Sequence, residues 1–236
     1  MDRLHTDREY ENELTALREQ VLLMGARVEE MITQALRSFE ERDARLAEEA
    51  MAADCQVDQL ELEIDEACLQ ILARRQPVAS DLRFITTALK VVTDLERIGD
   101  LGVNVCERVI ELGDAPPLDV ATSISRMAEI AHSMLRDALD AFVARDVAKA
   151  EQVIMRDRRV DAYYARLFSE LVSYMMKDPG VVQRATRLQS IGRYIERIAD
   201  HATNLAEMVV FMVRGRDVRH PSVSGPQNDD QGPQPN

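Results

Sequence analysis

The 236-residue chain has no tryptophan and only 4% aromatic residues, so aliphatic side chains must build its core. It has just nine glycines and eight prolines, several of them crowded into the last stretch, HPSVSGPQNDDQGPQPN. A sandwich or barrel needs turn residues at short regular intervals, and the body of this chain lacks them. No run of about 18 apolar residues is present to span a membrane. The charged opening MDRLHTDREYENELTALREQ lacks the apolar stretch of a signal peptide. Cysteine is sparse and odd in number: Cys55, Cys68 and Cys106 stand without a CxxC spacing, which fits free thiols in a reducing compartment. Positive charge is short as well, 29 Lys and Arg against 42 Asp and Glu, for a net charge of −13. That balance disfavours unaided nucleic-acid binding, which depends on neutralising phosphates, and a purely electrostatic dock on anionic lipid. The expectation is a cytoplasmic protein.

What the chain does have is an internal repeat. Shifted by 103 positions, Met24, Met31, Ala35, Leu36 and Phe39 fall on Met127, Met134, Ala138, Leu139 and Phe142. Arg42, Asp43, Ala47 and Glu48 fall on Arg145, Asp146, Ala150 and Glu151, and Asp54, Val57 and Asp58 on Asp157, Val160 and Asp161. At a shift of 100, Glu96-Arg97-Ile98-x-Asp100 meets Glu196-Arg197-Ile198-x-Asp200, and Asn104 and Glu107 meet Asn204 and Glu207.

Each half reads as three helices. Leu14, Leu17, Val21, Met24, Val28, Met31, Ala35 and Phe39 have the three/four spacing of one helix face over residues 8–41. Asp43 can cap a second helix over about 44–75, which stops before Pro77, and Ser80 or Asp81 can cap a third that runs to Leu112 with Gly113 as its stop. Helices at about 120–144, 147–177 and 181–214 follow, the last two separated by Asp178-Pro179-Gly180. The fold predicted is all-α, two tandem three-helix bundles: an N-terminal extension (1–7), a first repeat (8–113), a linker (114–118), a second repeat (119–215) and a disordered tail (216–236).

Asp54/Asp58 and Glu96/Asp100 are spaced i, i+4 and so share a helix face, as do Asp157/Asp161 and Glu196/Asp200. The antiparallel neighbours of a bundle can bring one pair from each helix together. Four carboxylates meeting across a groove would repel unless cations held them, and hard cations suit an all-oxygen set. The seam Val91, Leu95, Ile98, Gly102, Val105, Val109 and Leu112 lies on a different face of its helix from these acids. They therefore line a surface, which suits a wet metal site and a plain solvated face alike. A ferritin-type di-iron centre needs two Glu-x-x-His units, and only Glu129-Ile-Ala-His132 fits. No Gly-rich phosphate loop, GxSxG or HExxH is present. No residue is singled out as catalytic.

The segments Arg75-Gln76-Pro77-Val78-Ala79-x-Asp81-Leu82-Arg83-Phe84 and Asp94-Leu95-Glu96-Arg97-Ile98-Gly99-Asp100 resemble the first repeat of the PhoU family. The run from Tyr194 through Glu196-Arg197-Ile198-Ala199-Asp200-His201 to Asn204 and Glu207 resembles the second. Leu101 stands where the family often has His, and Gly180 where a polar residue is common. The resemblance covers about residues 8–215 and implies a cytoplasmic, non-enzymatic negative regulator of the phosphate-starvation response. It would connect the ATPase of the phosphate ABC transporter to a sensor histidine kinase, meet the membrane only through these partners, bind no nucleic acid and self-associate as a homodimer. It also implies multinuclear metal clusters, iron first, with Mg, Mn or Zn as alternatives. Carried over residue by residue, Asp54, Asp58, Glu96 and Asp100 form one site, with Asn104 and Glu107 as additional ligands. Asp157, Asp161, Glu196 and Asp200 form the other, with Asn204 and Glu207. The alternative from another class is a carboxylate-bridged metalloenzyme of ferroxidase or phosphohydrolase type.

Overall fold

The computed structural model describes residues 2–113 and 115–215. Six helices follow one another: α1 (Asp2–Glu41), α2 (Ala44–Arg74), α3 (Ala79–Leu112), α4 (Ala121–Ala144), α5 (Val147–Lys177) and α6 (Val182–Arg214), with a single 3₁₀ turn at Pro179–Val181 before α6. The tail expected to be disordered lies outside the described residues, and α1 opens at Asp2, ahead of the residue 8 expected from periodicity. The repeat is visible in how the helices are closed. Asp43 accepts from the backbone N–H groups of Arg45 and Leu46, and its equivalent Asp146 accepts from that of Lys149. Gly113 (φ 50°) ends α3 and Gly215 (φ 69°) ends α6, each in the left-handed region that glycine enters without a Cβ clash.

The cap expected for α3 is different. The helix starts from Val78 with no side-chain cap. Asp81 accepts instead from the Tyr10 hydroxyl on α1 at 3.1 Å, and Ser80 Oγ turns to Asp81 at 3.3 Å. Arg75, at the same corner, forks onto Glu13 at 3.0 and 3.1 Å and reaches Glu9 at 3.0 Å. The motif residues around Pro77 therefore pin the α2–α3 corner to α1.

α1, α2 and α3 form one antiparallel bundle and α4, α5 and α6 the other. The seam expected on α3 is buried from Val91 to Val109, and its counterpart on α6 (Ile191, Ile195, Ile198, Ala202, Leu205, Val209) is buried throughout. The two bundles are not beads on a string. α3 packs along α6 as extensively as helices pack within either bundle, and α1 meets α4, so one apolar core runs through both halves. Leu101 and Cys106 on α3, with Ala199, Ala206 and Val210 on α6, lie off the two intra-bundle seams yet are buried. Burial on two faces identifies α3 and α6 as the central pair, which leaves α2 and α5 on the outside.

Candidate metal centres

α2 carries Asp54 and Asp58 one turn apart, and α3 carries Glu96 and Asp100 likewise. The helices close tightly at Gly99, where an added Cβ would stand 3.3 Å from Asp54 Oδ1 and 3.5 Å from Val57 Cγ1. Carboxyls of the two helices lie within electrostatic reach of one another across this groove. Withdrawal from water pushes the Asp54 carboxyl above its ordinary range, and the charges of Asp58 and Asp100 push it further. Glu96 is raised by the same withdrawal and by Asp100, Glu61 and Asp58, with Arg97 opposing. Arg97 is the groove's countercharge, 3.5 Å from Glu96 Oε2 and 3.4 Å from Asp100 Oδ2.

The α5–α6 groove repeats the arrangement. Asp157 is raised by withdrawal from water and by Asp161, with Thr203 pulling the other way. Glu196 is raised by withdrawal and by Asp161 and Asp157, against Arg193 and Arg197. Asp200 is pushed furthest, to about 6, by withdrawal and then by Glu196, Asp157 and Asp161, with His201 opposing. In each groove one aspartate of the outer helix is half-buried (Asp54, Asp157) and the other exposed (Asp58, Asp161).

These donors fit a hard cation by chemistry: all are oxygen, and withdrawal from water together with neighbouring carboxylates makes Asp54, Glu96, Asp157, Glu196 and Asp200 harder to ionise. Among the described residues, no three His, Cys, Asp or Glu side chains are already gathered as a coordination shell. In the first groove Arg97 occupies the side of Glu96 and Asp100 that a cation would share.

The additional positions are placed unequally. Asn104 Nδ2 donates to the Asp100 backbone carbonyl at 2.7 Å, and Glu107 lies 3.1 Å from the Arg108 guanidinium. Asn204 Nδ2 faces α3 and lies 3.3 Å from Asp94 Oδ1, while Glu207 is half-buried. His132 of the lone Glu-x-x-His unit turns to α1, 3.1 Å from Thr33 Oγ1 and 3.6 Å from Glu29 Oε1.

Sequence reasoning missed Glu61. Withdrawal from water raises its carboxyl first, then Asp65, Asp58 and Asp100 raise it further, so it belongs to the first groove. The signal was present, since Asp54, Asp58, Glu61 and Asp65 follow a four/three/four spacing along one face of α2. Comparison of the halves hid it, because the equivalents of Glu61 and Asp65 are Tyr164 and Phe168. The first groove is thus the more acidic of the two.

Comparison with known proteins places this geometry in a family. The family model "PhoU domain" matches residues 21–109 and again 124–209, one match per bundle. A phosphate-specific transport system accessory protein PhoU homolog of Pseudomonas putida is 41% identical over 92% of this chain and 85% of its own. The crystal structure of PhoU from Pseudomonas aeruginosa superposes with a TM-score of 0.85 at 40% identity, covering 88% of this chain and all of the other. That of the phosphate transport system regulatory protein PhoU from Streptococcus pneumoniae gives 0.82 at 30% identity, over 89% of this chain and 99% of the other.

Proposed function

The chain belongs to the PhoU family, and from that membership we propose that it is a regulatory accessory protein of phosphate transport that keeps the phosphate-starvation response off when phosphate is plentiful. It acts as a non-enzymatic adaptor in the cytoplasm, as a homodimer, between the ATPase of the phosphate ABC transporter and a phosphate-sensing histidine kinase.

One observation carries this reading: both repeats match the family, and both present a carboxylate quartet at equivalent positions of their paired helices. Asp54, Asp58, Glu96 and Asp100 would hold metal in the first groove, and Asp157, Asp161, Glu196 and Asp200 in the second, iron being the first candidate. A bound metal would supply positive charge that offsets the mutual repulsion of the carboxylates around it. The chain's own contribution is rigid placement. α3 and α6, buried against each other, hold Glu96, Asp100, Glu196 and Asp200 at fixed spacing, while α2 and α5 present their aspartates from the outside. The exposure of Asp58, Asp161 and Asp200 to solvent favours an adaptor over an enzyme.

The test is alkaline phosphatase activity at high phosphate in the source organism, in a background with no second family copy. Deletion of the gene should raise the activity, and the wild-type gene should restore repression. Unchanged activity on deletion would remove the regulatory reading.

A further inference from the structure

The two ends of the molecule are built from equivalent residues but differ in one exchange. At one end Phe84 of α3, only 3% exposed, stacks on Phe142 of α4 with ring centroids 6.2 Å apart, and Arg18 lies 5.0 Å over the Phe84 ring. The repeat places Phe39 of α1 where Phe142 stands, and Arg184 of α6 where Phe84 stands. With an arginine in place of the second ring, the other end is not filled. A cavity of about 580 Å³ opens there between the last turns of α1 and α3 and the first turns of α4 and α6, with the linker along its edge. That volume lies in the range that takes a small molecule, about 300–1,000 Å³.

Its walls are apolar (Phe39, Val109, Leu112 and Leu188), and its charge is unlike that of the rest of the chain. Arg184 donates from Nη1 to the Pro116 carbonyl at 2.5 Å, and Arg42 donates to the neighbouring Ala115 carbonyl, so one arginine from each repeat reaches the same short stretch of linker. Neither guanidinium has a carboxylate partner among the described residues, although the chain carries a net charge of −13. Arg184 Nε is also buried without a hydrogen-bond partner. The third arginine of the lining, Arg126, is paired with Glu129 at 3.5 Å, and Glu129 and Glu40 also line the cavity.

We propose that this cavity is a binding site for a small organic anion. Its carboxylate or phosphate head sits between Arg42 and Arg184, and its apolar body lies against Phe39, Val109, Leu112 and Leu188. The head meets two guanidiniums that are otherwise satisfied only by neutral carbonyls, which charge-assisted hydrogen bonds favour. The body covers apolar wall that at the opposite end is covered by Phe84. A bare inorganic anion leaves that wall wet and is disfavoured. The site shares no residue with the acidic grooves, so it stands or falls independently of the regulatory reading.

The experiment titrates the full chain with 8-anilinonaphthalene-1-sulfonate, followed by fluorescence and calorimetry, then competes the probe with octanoate, adenosine monophosphate or inorganic phosphate. One equivalent should bind and be displaced by octanoate or the nucleotide, whichever body fits, while inorganic phosphate at the same concentration leaves it in place. Arg184→Phe, which copies the filled end, should abolish binding. Arg42→Gln/Arg184→Gln, which keeps the cavity open, should weaken it by about tenfold or more. Circular dichroism confirms that each variant is folded, and the Gln pair decides alone if Arg184→Phe is not. Probe affinity unchanged in the folded variants, displacement by neither organic anion, or equal displacement by inorganic phosphate would overturn the proposal.

Discussion

His201 on α6 stands with Nδ1 2.6 Å from Asp94 Oδ1 on α3, a contact that joins the two repeats across 107 positions of sequence. Both side chains are largely sheltered, 17% and 13% exposed, and Asn204 Nδ2 approaches the same oxygen at 3.3 Å. The repeat does not duplicate this contact. Tyr194 stands in the place of Asp94 and Leu101 in that of His201, and Leu101 is buried among apolar neighbours. The seam between the bundles is therefore polar at one of two equivalent positions, and the exchange of His for Leu at 101 falls on this seam.

Removing either partner should strand the other. Asp94→Ala and His201→Ala are each expected to destabilise the protein by about 1–3 kcal/mol. The double variant should cost less than the sum, with a coupling of about 0.5–3 kcal/mol. Urea unfolding of the four proteins measures it, and strict additivity would show that the contact contributes nothing.

The raised carboxyls set the pH dependence of the metal-free protein. Asp54, Glu61, Glu96, Asp157, Glu196 and Asp200 all hold protons more tightly in the fold than ordinary carboxyls do. For a group raised on folding, the stabilisation is complete below the unfolded carboxyl range, about 4, and is lost as pH rises through the folded value. For Asp200 that value is about 6. With chelator present, the thermal midpoint should fall between pH 5 and pH 7.5, and Asp200→Asn should flatten the slope. Protons compete with cations for the same oxygens, so metal affinity should change in the opposite sense and weaken as pH drops through 6.

Elemental analysis tests the two grooves separately. Glu96→Gln/Asp100→Asn should lose about half of the bound metal, leaving the α5–α6 quartet loaded. Glu61→Gln should weaken only the first groove, since its equivalent in the second is Tyr164. Equal metal in all of these proteins, or none in any, would return the acids to the role of a solvated face.

An adaptor should not turn over substrate. Metal-loaded protein is expected to show no phosphatase or ferroxidase activity above that of Glu96→Gln/Glu196→Gln. Metal-dependent turnover that disappears in this variant would establish the metalloenzyme reading instead.

Packing between α5 and α6 depends on Gly192, where an added Cβ would lie 2.4 Å from Leu167 Cδ2, with Leu167 itself 1% exposed. Gly192→Ala should destabilise by about 1–3 kcal/mol in chemical unfolding. Trimming the neighbour with Leu167→Val should recover part of that loss. Gly99→Ala should be milder, because the Cβ would meet the Asp54 carboxylate at 3.3 Å and the equivalent position already holds Ala199.

The sequence by itself determined the six helices, their approximate ends and the two carboxylate quartets. Each of these is written in local periodicity: apolar residues three and four apart, acids one turn apart, a cap at Asp43 repeated at Asp146, and a stop at Gly113. Self-comparison then showed which features recur, and for the same reason passed over those that do not, such as Glu61. Tertiary structure alone decided how the halves meet. The burial of α3 against α6, the His201–Asp94 contact and the cavity left where Arg184 replaces a phenylalanine join residues far apart in the chain. No spacing within a helix encodes such pairs, because the periodicity of a helix specifies which face is apolar and not which distant surface will cover it.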